Sequence, residues 1–206
     1  MAANYDRTAW FYDRLSHLVF GKSQVNAQNH FLHLIKPNSR ILIVGGGTGQ
    51  ILEALTQHYS SGLDITYVEI SAKMMLLSRK RNIGGNRVSF VTDDIGNVKN
   101  AISYDVIITA FLFDNFTDEA LRKTFGQLHN QLQPNGLWLN TDFELTGPFW
   151  QRLMLKTMYR FFKLLQAVEV NKLPQTDAVF KQYQYSLTAQ QHFYGKFISA
   201  KAYTKI

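Results

Sequence analysis

The 206-residue sequence contains no cysteine. Disulfide bonds and thiolate chemistry are therefore excluded, and a cytoplasmic setting is the expectation. No run of about 18 uninterrupted apolar residues occurs, so a membrane-spanning helix is not expected. The opening residues, Met1-Ala2-Ala3-Asn4-Tyr5-Asp6-Arg7, lack the apolar core of a signal peptide. Composition argues against disorder: 46% hydrophobic and 14% aromatic residues can fill a core, and the length suits one domain better than two. Acidic residues are the minority, 15 against 22 Lys and Arg, for a net charge of +7. Such an excess is compatible with solvated surface, nucleic acid, a membrane surface or an anionic substrate. The cations are scattered, with short clusters at Arg79-Lys80-Arg81 and along Arg152, Lys156, Arg160 and Lys163. His17, His30 and His33 share one region, but nothing in their spacing supports a metal site.

What the sequence does contain is a glycine cluster in a telling place. Ile41, Leu42, Ile43 and Val44 run without polar interruption, as in a strand buried on both faces of a sheet. Gly45, Gly46, Gly47 and Gly49 follow. They permit positive φ and leave no Cβ in the way of a bound nucleotide. Ile51, Leu52, Leu55 and Tyr59 then recur at helical spacing, completing a strand, glycine turn and helix unit. The next strand, Ile65-Thr66-Tyr67-Val68, ends in Glu69, 24 residues past Gly45. A carboxylate there is placed to accept hydrogen bonds from a ribose diol while the glycine turn lies against another part of the ligand. The dinucleotide fingerprint G-x-G-x-x-G fails, because Gln50 stands where its third glycine belongs; the chain offers G-x-G-x-G.

The remaining pattern alternates in the same way. A helix over residues 22–36 would turn Val25, Phe31, Leu34 and Ile35 inward and stop at Pro37-Asn38-Ser39. Ser71 is a natural N-cap, with Lys80 and Arg81 near the end of the helix it starts. Val88–Val91 and Tyr104–Thr109 read as strands. Asp93 and Asp94 follow the first, where they would either contact a ligand or cap a short helix near Asn97. Thr117 caps a helix over 118–132, and Leu137–Asn140 is a further strand. Residues 148–167 form an amphipathic helix whose apolar side is read as Trp150, Leu153, Met154, Phe161, Phe162 and Leu165. It either packs on the sheet with its basic side chains snorkelling, or acts as a lid or interfacial helix at a membrane surface. A short helix within 174–182 precedes two strands, Leu187–Tyr194 and Lys196–Tyr203, around Gly195.

The G-x-G-x-G turn with Glu69, the entry segment N-Y-D-R-T-A-W-F-Y-D over residues 4–13, and the segment I-S-A-K-M-M-L after Glu69 together resemble the seven-stranded, Rossmann-like S-adenosylmethionine-dependent methyltransferases. Within that class the likeness is to enzymes of ubiquinone and menaquinone biosynthesis. The resemblance implies a three-layer, doubly wound α/β fold with a mostly parallel seven-stranded sheet and a C-terminal antiparallel hairpin. Residues 1–206 would form a single methyltransferase domain, with 1–36 as an N-terminal helical cap. It implies S-adenosyl-L-methionine as cofactor and S-adenosyl-L-homocysteine as product. The implied cofactor contacts are Tyr12, Gly45, Gly46, Gly47, Gly49, Glu69, Ile70, Asp94, Ile95, Ala110 and Phe111. Asp94 would meet the adenine amino group and Ile95 the ring, while Asp114 and Asn115 would face the acceptor. Tyr5 stands in the family's aromatic place, and Asn135 where a turn glycine is common.

The expected activity is direct in-line methyl transfer to a small aromatic or lipophilic acceptor. His192, His17, Tyr12 and Asp114 are candidates for removing a proton, and none is singled out as catalytic. No N-P-P-Y type of motif is present, which counts against methylation of nucleic-acid amines. One departure matters: Ile43 stands where the family commonly carries an acid that holds the methionine ammonium group. A non-catalytic S-adenosylmethionine-binding protein or partner subunit therefore stays open as an alternative, as does an RNA-directed methyltransferase.

Overall fold

Ile41, Leu42, Ile43 and Val44 all lie on one strand, β1 (Arg40–Val44), and all are at most 2% exposed. Alternation explains the unbroken apolar run. Ile41 and Ile43 enter one core cluster and Leu42 and Val44 the other, so both faces of the strand are covered. The computed structural model describes residue 6 and residues 9–98, 103–165 and 170–206. Tyr5, in the family's aromatic place, and Ala167, the expected end of the long helix, lie outside the described residues.

The remaining strands are β2 (Ser61–Val68), β3 (Gly85–Val91), β4 (Tyr104–Ala110), β5 (Leu132–Phe143), β6 (Tyr185–Phe193) and β7 (Ile198–Lys205). They make one seven-stranded sheet in the order β3-β2-β1-β4-β5-β7-β6. The first five strands in that order are parallel, and β7 lies antiparallel between β5 and β6. The helices are α1 (Tyr12–Phe20), α2 (Ser23–Asn29), α3 (Gln50–His58), α4 (Ala72–Ser78), α5 (Asp118–Gln131), α6 (Phe149–Leu164) and α7 (Thr176–Gln182). Buried residues of α2, α3 and α6 join the Ile41 cluster, and those of α5 and α7 the Leu42 cluster, which gives the three layers. The chain runs outward from β1 through β2 to β3, then returns to pair β4 with β1. At that reversal the connections after β1 and β4 lead to helices on opposite faces of the sheet, which is where open α/β sheets form a crevice.

Several local expectations are corrected. The helix expected over 22–36 breaks after Asn29 and resumes as a single 3-10 turn, Leu32–Leu34. The break rotates the inward face: Ala27, Phe31, Leu32 and Ile35 are buried, while Leu34 is 39% exposed. Helix α6 packs in part as expected, with Met154 and Phe162 against the Ile41 cluster, but its most buried stripe is another one. Gln151, Leu155 and Tyr159, spaced four apart, are its buried residues, and Trp150, Leu153 and Phe161 are exposed. A polar residue at the start of the packed stripe hides it from a hydrophobicity pattern. Gln151 is satisfied there by the Thr146 N–H at 2.8 Å and by donating to the Gly195 carbonyl at 3.1 Å. In the closing hairpin Tyr194, Gly195 and Lys196 all take positive φ, so the turn is longer than a single glycine and the second strand starts at Ile198.

Candidate active site

The glycine turn is shaped by what presses on it. Gly45, Gly47 and Gly49 have φ of +68, +63 and +83°, a region that only glycine enters freely. Gly46 is required for a different reason: a Cβ there would fall 2.2 Å from the Tyr67 ring. At Gly49 a Cβ would come within 2.8 Å of the Ser78 backbone. Only at Gly47 is there room, with Met74 Sδ at 3.9 Å the nearest atom. The turn is therefore seated on β2 and α4 and opens outward at Gly47.

Glu69 ties this turn to the next strand. Its Oε2 accepts from the Gly47 N–H at 2.9 Å and its Oε1 from the Ser71 N–H at 2.8 Å, and the residue is 5% exposed. Burial raises the carboxyl pKa above the usual glutamate range, and the Ser71 and Gly47 N–H groups pull the other way. Ser71 caps α4, as its sequence position suggests, accepting from the Met74 N–H at 3.1 Å. Its hydroxyl also donates to Asp6, which brings that residue of the entry segment onto the helix start.

Asp13, from the second pair, sits on the turn itself. It accepts from the Thr48 hydroxyl at 2.9 Å and from Arg81 Nη2 at 3.2 Å. Arg81 in turn donates to the Thr48 carbonyl at 2.9 Å and pairs with Glu53 at 3.3 Å. Sequence reasoning placed Arg81 at a helix end as a dipole complement; α4 stops at Ser78, and the guanidinium folds back over the glycine turn instead. The signal that could have found it is the acid at the close of the entry segment, which needs a cationic partner.

One cleft collects most of the residues singled out in the sequence. Tyr12, Gly45, Gly46, Gly47, Glu69, Ile70, Asp94, Ile95, Ala110 and Phe111 line it, with Asp13, Thr48 and Asp93. Gly49 does not, because it faces α4. Asp94 has a structural duty as well: it caps a 3-10 turn that starts at Ile95, two residues earlier than expected, and accepts from the Gly96 N–H at 2.7 Å. Asp93 accepts from the Asp94 N–H at 2.7 Å. Ile43 is sealed within the sheet at 2% exposure and reaches no cleft.

A second, apolar cavity of about 540 Å³ adjoins the first, within the size range of small-molecule sites. The two share Tyr12, Ser16, Gln24, Phe111 and Asn115. Helices α1 and α6 supply most of the second cavity's wall, among them Leu15, Val19, Met154, Met158 and Phe162. Among the described residues, Asp114 is its one carboxylate. It is 7% exposed, its Oδ1 accepts from Asn115 Nδ2 at 2.7 Å, and its backbone N–H donates to Asp142 Oδ2 at 3.1 Å. Burial first, and the neighbouring Asp142 second, push the Asp114 pKa well above the carboxylate range. Burial also pushes Asp142 up, to about 7. The Asp142 position went unread in the sequence because β5 was ended at Asn140.

The other proton-accepting candidates separate by position. Tyr12 lines both cavities, but burial and the charges of Asp114, Asp13 and Glu69 raise its pKa, so it remains a phenol at neutral pH. His17 is exposed on α1, and His192 pairs with Glu144 at 3.1 Å; neither lines either cavity.

Residues 41–136 match a family model described as a methyltransferase domain. The chain is 29% identical over 142 residues to a malonyl-[acyl-carrier protein] O-methyltransferase of Priestia megaterium, covering 69% of this chain and 48% of that one. It is 31% identical over 132 residues to a ubiquinone/menaquinone biosynthesis C-methyltransferase of Wigglesworthia glossinidia brevipalpis, covering 61% and 50%. The chain thus spans about half the length of these curated relatives. Its fold is that of magnesium protoporphyrin IX methyltransferase from Synechocystis PCC 6803, solved with bound SAH: TM-score 0.70, 14% identity, 98% of this chain and 96% of that one. Glycine turn and strand order are thus those of a seven-stranded, Rossmann-like fold, and the segment that carries the turn is the one that matches a methyltransferase domain.

Proposed function

We propose that the chain transfers the methyl group of S-adenosyl-L-methionine directly to a small aromatic or lipophilic acceptor. The observation that supports this most is the junction of the two cavities at Tyr12, Phe111 and Asn115. A cleft beside the glycine turn that carries Asp13, Glu69 and Asp94 among apolar residues suits the nucleoside and amino acid of the donor, and the apolar cavity suits the acceptor. The acceptor's nucleophilic atom attacks the methyl carbon, the carbon–sulfur bond breaks with its electron pair staying on sulfur, and the acceptor gives up a proton. The sulfonium is already electrophilic, so alignment is the main task, worth roughly 7 to 11 kcal/mol when the geometry is right.

The residues fit the donor. The Glu69 oxygens hold the Gly47 and Ser71 N–H groups, and a carboxylate has about four acceptor sites, so capacity is left for the ribose diol. The space over Gly47 leaves room for the donor's backbone-facing side. Asp94 and Ile95 border the place we assign to adenine. With Ile43 buried in the core, the acid we assign to the donor's ammonium group is Asp13, which lines the cleft while seated on Thr48. For the released proton we assign Asp114, the carboxyl lining the acceptor cavity. A relative from ubiquinone and menaquinone biosynthesis is in keeping with a lipophilic ring as acceptor.

Burial of Ile43 also favours a second reading, a binder that holds the donor without turnover. Titration calorimetry with S-adenosyl-L-homocysteine tests the first half of the proposal, and no binding at millimolar ligand would end it. Incubation with methyl-labelled donor and a panel of quinols, phenols and acyl acceptors tests the second. Saturable donor binding without label transfer to any of them would favour the binder.

A further inference from the structure

Helix α6 is apolar on two sides, and only one of them is used by the fold. At about 100° per residue, Gln151, Leu155 and Tyr159 form the buried stripe, and Phe149, Leu153 and Leu164 fall on the side facing away from it. These three are 78%, 56% and 83% exposed. Arg152, Lys156, Arg160 and Lys163 run along one flank of this outer stripe. On the other flank Trp150 and Phe161, both partly exposed, line the wall of the apolar cavity. The helix carries four cations and no carboxylate. Across the cavity, α1 continues the surface with Leu18, 82% exposed and one turn from the cavity-lining Leu15; Trp10, just before α1, is 79% exposed. Single exposed apolar residues are ordinary on protein surfaces, whereas several on the two helices that wall one apolar cavity point to a docking surface.

We infer that this face rests on an anionic phospholipid bilayer, with the outer stripe of α6 in the headgroup layer and the acceptor cavity opening toward the lipid. Large apolar and aromatic residues beside a row of Lys and Arg are the composition of a helix lying in the membrane interface. At 16 residues α6 cannot cross a bilayer, and no helix among the described residues is long and apolar enough to do so. Charge argues against a second copy of the chain as the occupant, because a two-fold contact through this face would set the cationic rows against each other. A lipid-borne acceptor would then enter the cavity without crossing water. The inference is independent of the donor chemistry and can be tested without any donor.

The test is co-sedimentation of the full chain with vesicles of phosphatidylcholine alone and of phosphatidylcholine mixed with phosphatidylglycerol. The expected result is binding to the mixed vesicles that weakens as salt rises. Each cation near an anionic surface contributes about 1 kcal/mol, roughly a five-fold factor. Arg152→Gln/Lys156→Gln/Arg160→Gln should therefore lower the partition coefficient by about a hundred-fold. Phe149→Ser/Leu164→Ser, which changes only residues outside both cavities, should lower it by ten-fold or more. Unchanged melting temperatures and S-adenosyl-L-homocysteine affinities in both variants would show that fold and donor cleft are intact. Absence of wild-type binding to the mixed vesicles would overturn the inference, as would full binding by either variant. So would a wild-type dimer in solution that Phe149→Ser/Leu164→Ser dissociates, since a second copy would then cover the face. Loss of donor binding alone would count against the proposed activity and leave the lipid result standing.

Discussion

Glu69→Gln is the sharpest single test of the donor cleft, and the structure shows why alanine is the wrong substitute. The carboxylate holds two buried N–H groups, Gly47 at 2.9 Å and Ser71 at 2.8 Å. Alanine would strand both, at about 1–3 kcal/mol each, and the glycine turn would lose its tie to β2 whether or not a ligand uses Glu69. Glutamine keeps one acceptor and turns an amide toward the other donor, but it also removes a charge whose burial is unfavourable, as the raised pKa indicates. The net stability loss should be about 0–2 kcal/mol, or a few degrees in Tm for a chain of this size. Donor affinity should fall by a similar amount. Replacing a charge-assisted acceptor by a neutral one costs about 1–2 kcal/mol, so the Kd for S-adenosyl-L-homocysteine by calorimetry should rise roughly five- to thirty-fold. Because the acceptor is an acid with a raised pKa, wild-type affinity should also weaken on acidification at a higher pH than an ordinary glutamate would give, and the glutamine variant should lack that step. A variant that melts within a few degrees of wild type and binds within two-fold of it would refute the diol assignment.

Gly46→Ala would set a Cβ 2.2 Å from the buried Tyr67 ring, whose hydroxyl is committed to the Gly47 carbonyl at 3.0 Å. A loss of about 1–3 kcal/mol is expected on thermal denaturation, and recovery in a Tyr67→Ala background should show that the ring is the obstacle. Burial pushes the Asp142 carboxyl up to about 7 in the folded protein, beside an Asp114 that is raised too, so above the ordinary carboxylate pKa the folded state holds extra proton and stability falls as pH rises. Wild-type Tm should therefore decline from about pH 5 to pH 7; Asp142→Asn should flatten that decline, and an equal slope in both proteins would reject the assignment. Asp13→Asn should weaken S-adenosyl-L-homocysteine binding by roughly five-fold, a discounted charge-assisted contact because the group is partly exposed. It should leave adenosine binding unchanged, since adenosine lacks the ammonium; equal losses for both ligands would assign Asp13 a purely structural role.

The sheet was legible wherever the signal was local. Strand β1 announced itself by four apolar residues, and the caps Ser71 and Thr117 accept from the Met74 and Ala120 N–H groups at 3.1 and 3.2 Å. Asn135, with φ of +60°, adopts the left-handed backbone that its place in the turn requires. Orientation of the long helix was not legible. Its face is decided by Gln151 reaching Gly195, 44 residues on, and a hydrophobicity pattern gives such a polar residue the wrong side.

The same distinction divides the donor cleft. Gly45, Gly47 and Glu69 could be placed because they sit at strand ends that a parallel sheet must bring to one edge. Arg81 and Asp13 could not, because their contact joins residues 68 apart, and only the folded chain shows that the entry segment closes over the glycine turn. That closure gives the Ile43 departure a physical account. Ile43 shares its side of the sheet with Ile41 and packs among aliphatic residues, so an acid there would lie buried beside the turn. Here a carboxylate reaches the turn from outside, on α1, neutralised in part by Arg81 and held by Thr48. If that carboxylate receives the donor's ammonium, cofactor binding and closure of the N-terminal segment become one event. Arg81→Gln, which removes the guanidinium that ties Asp13 to the turn and changes no residue lining the cleft, should then weaken donor binding and loosen α1 together.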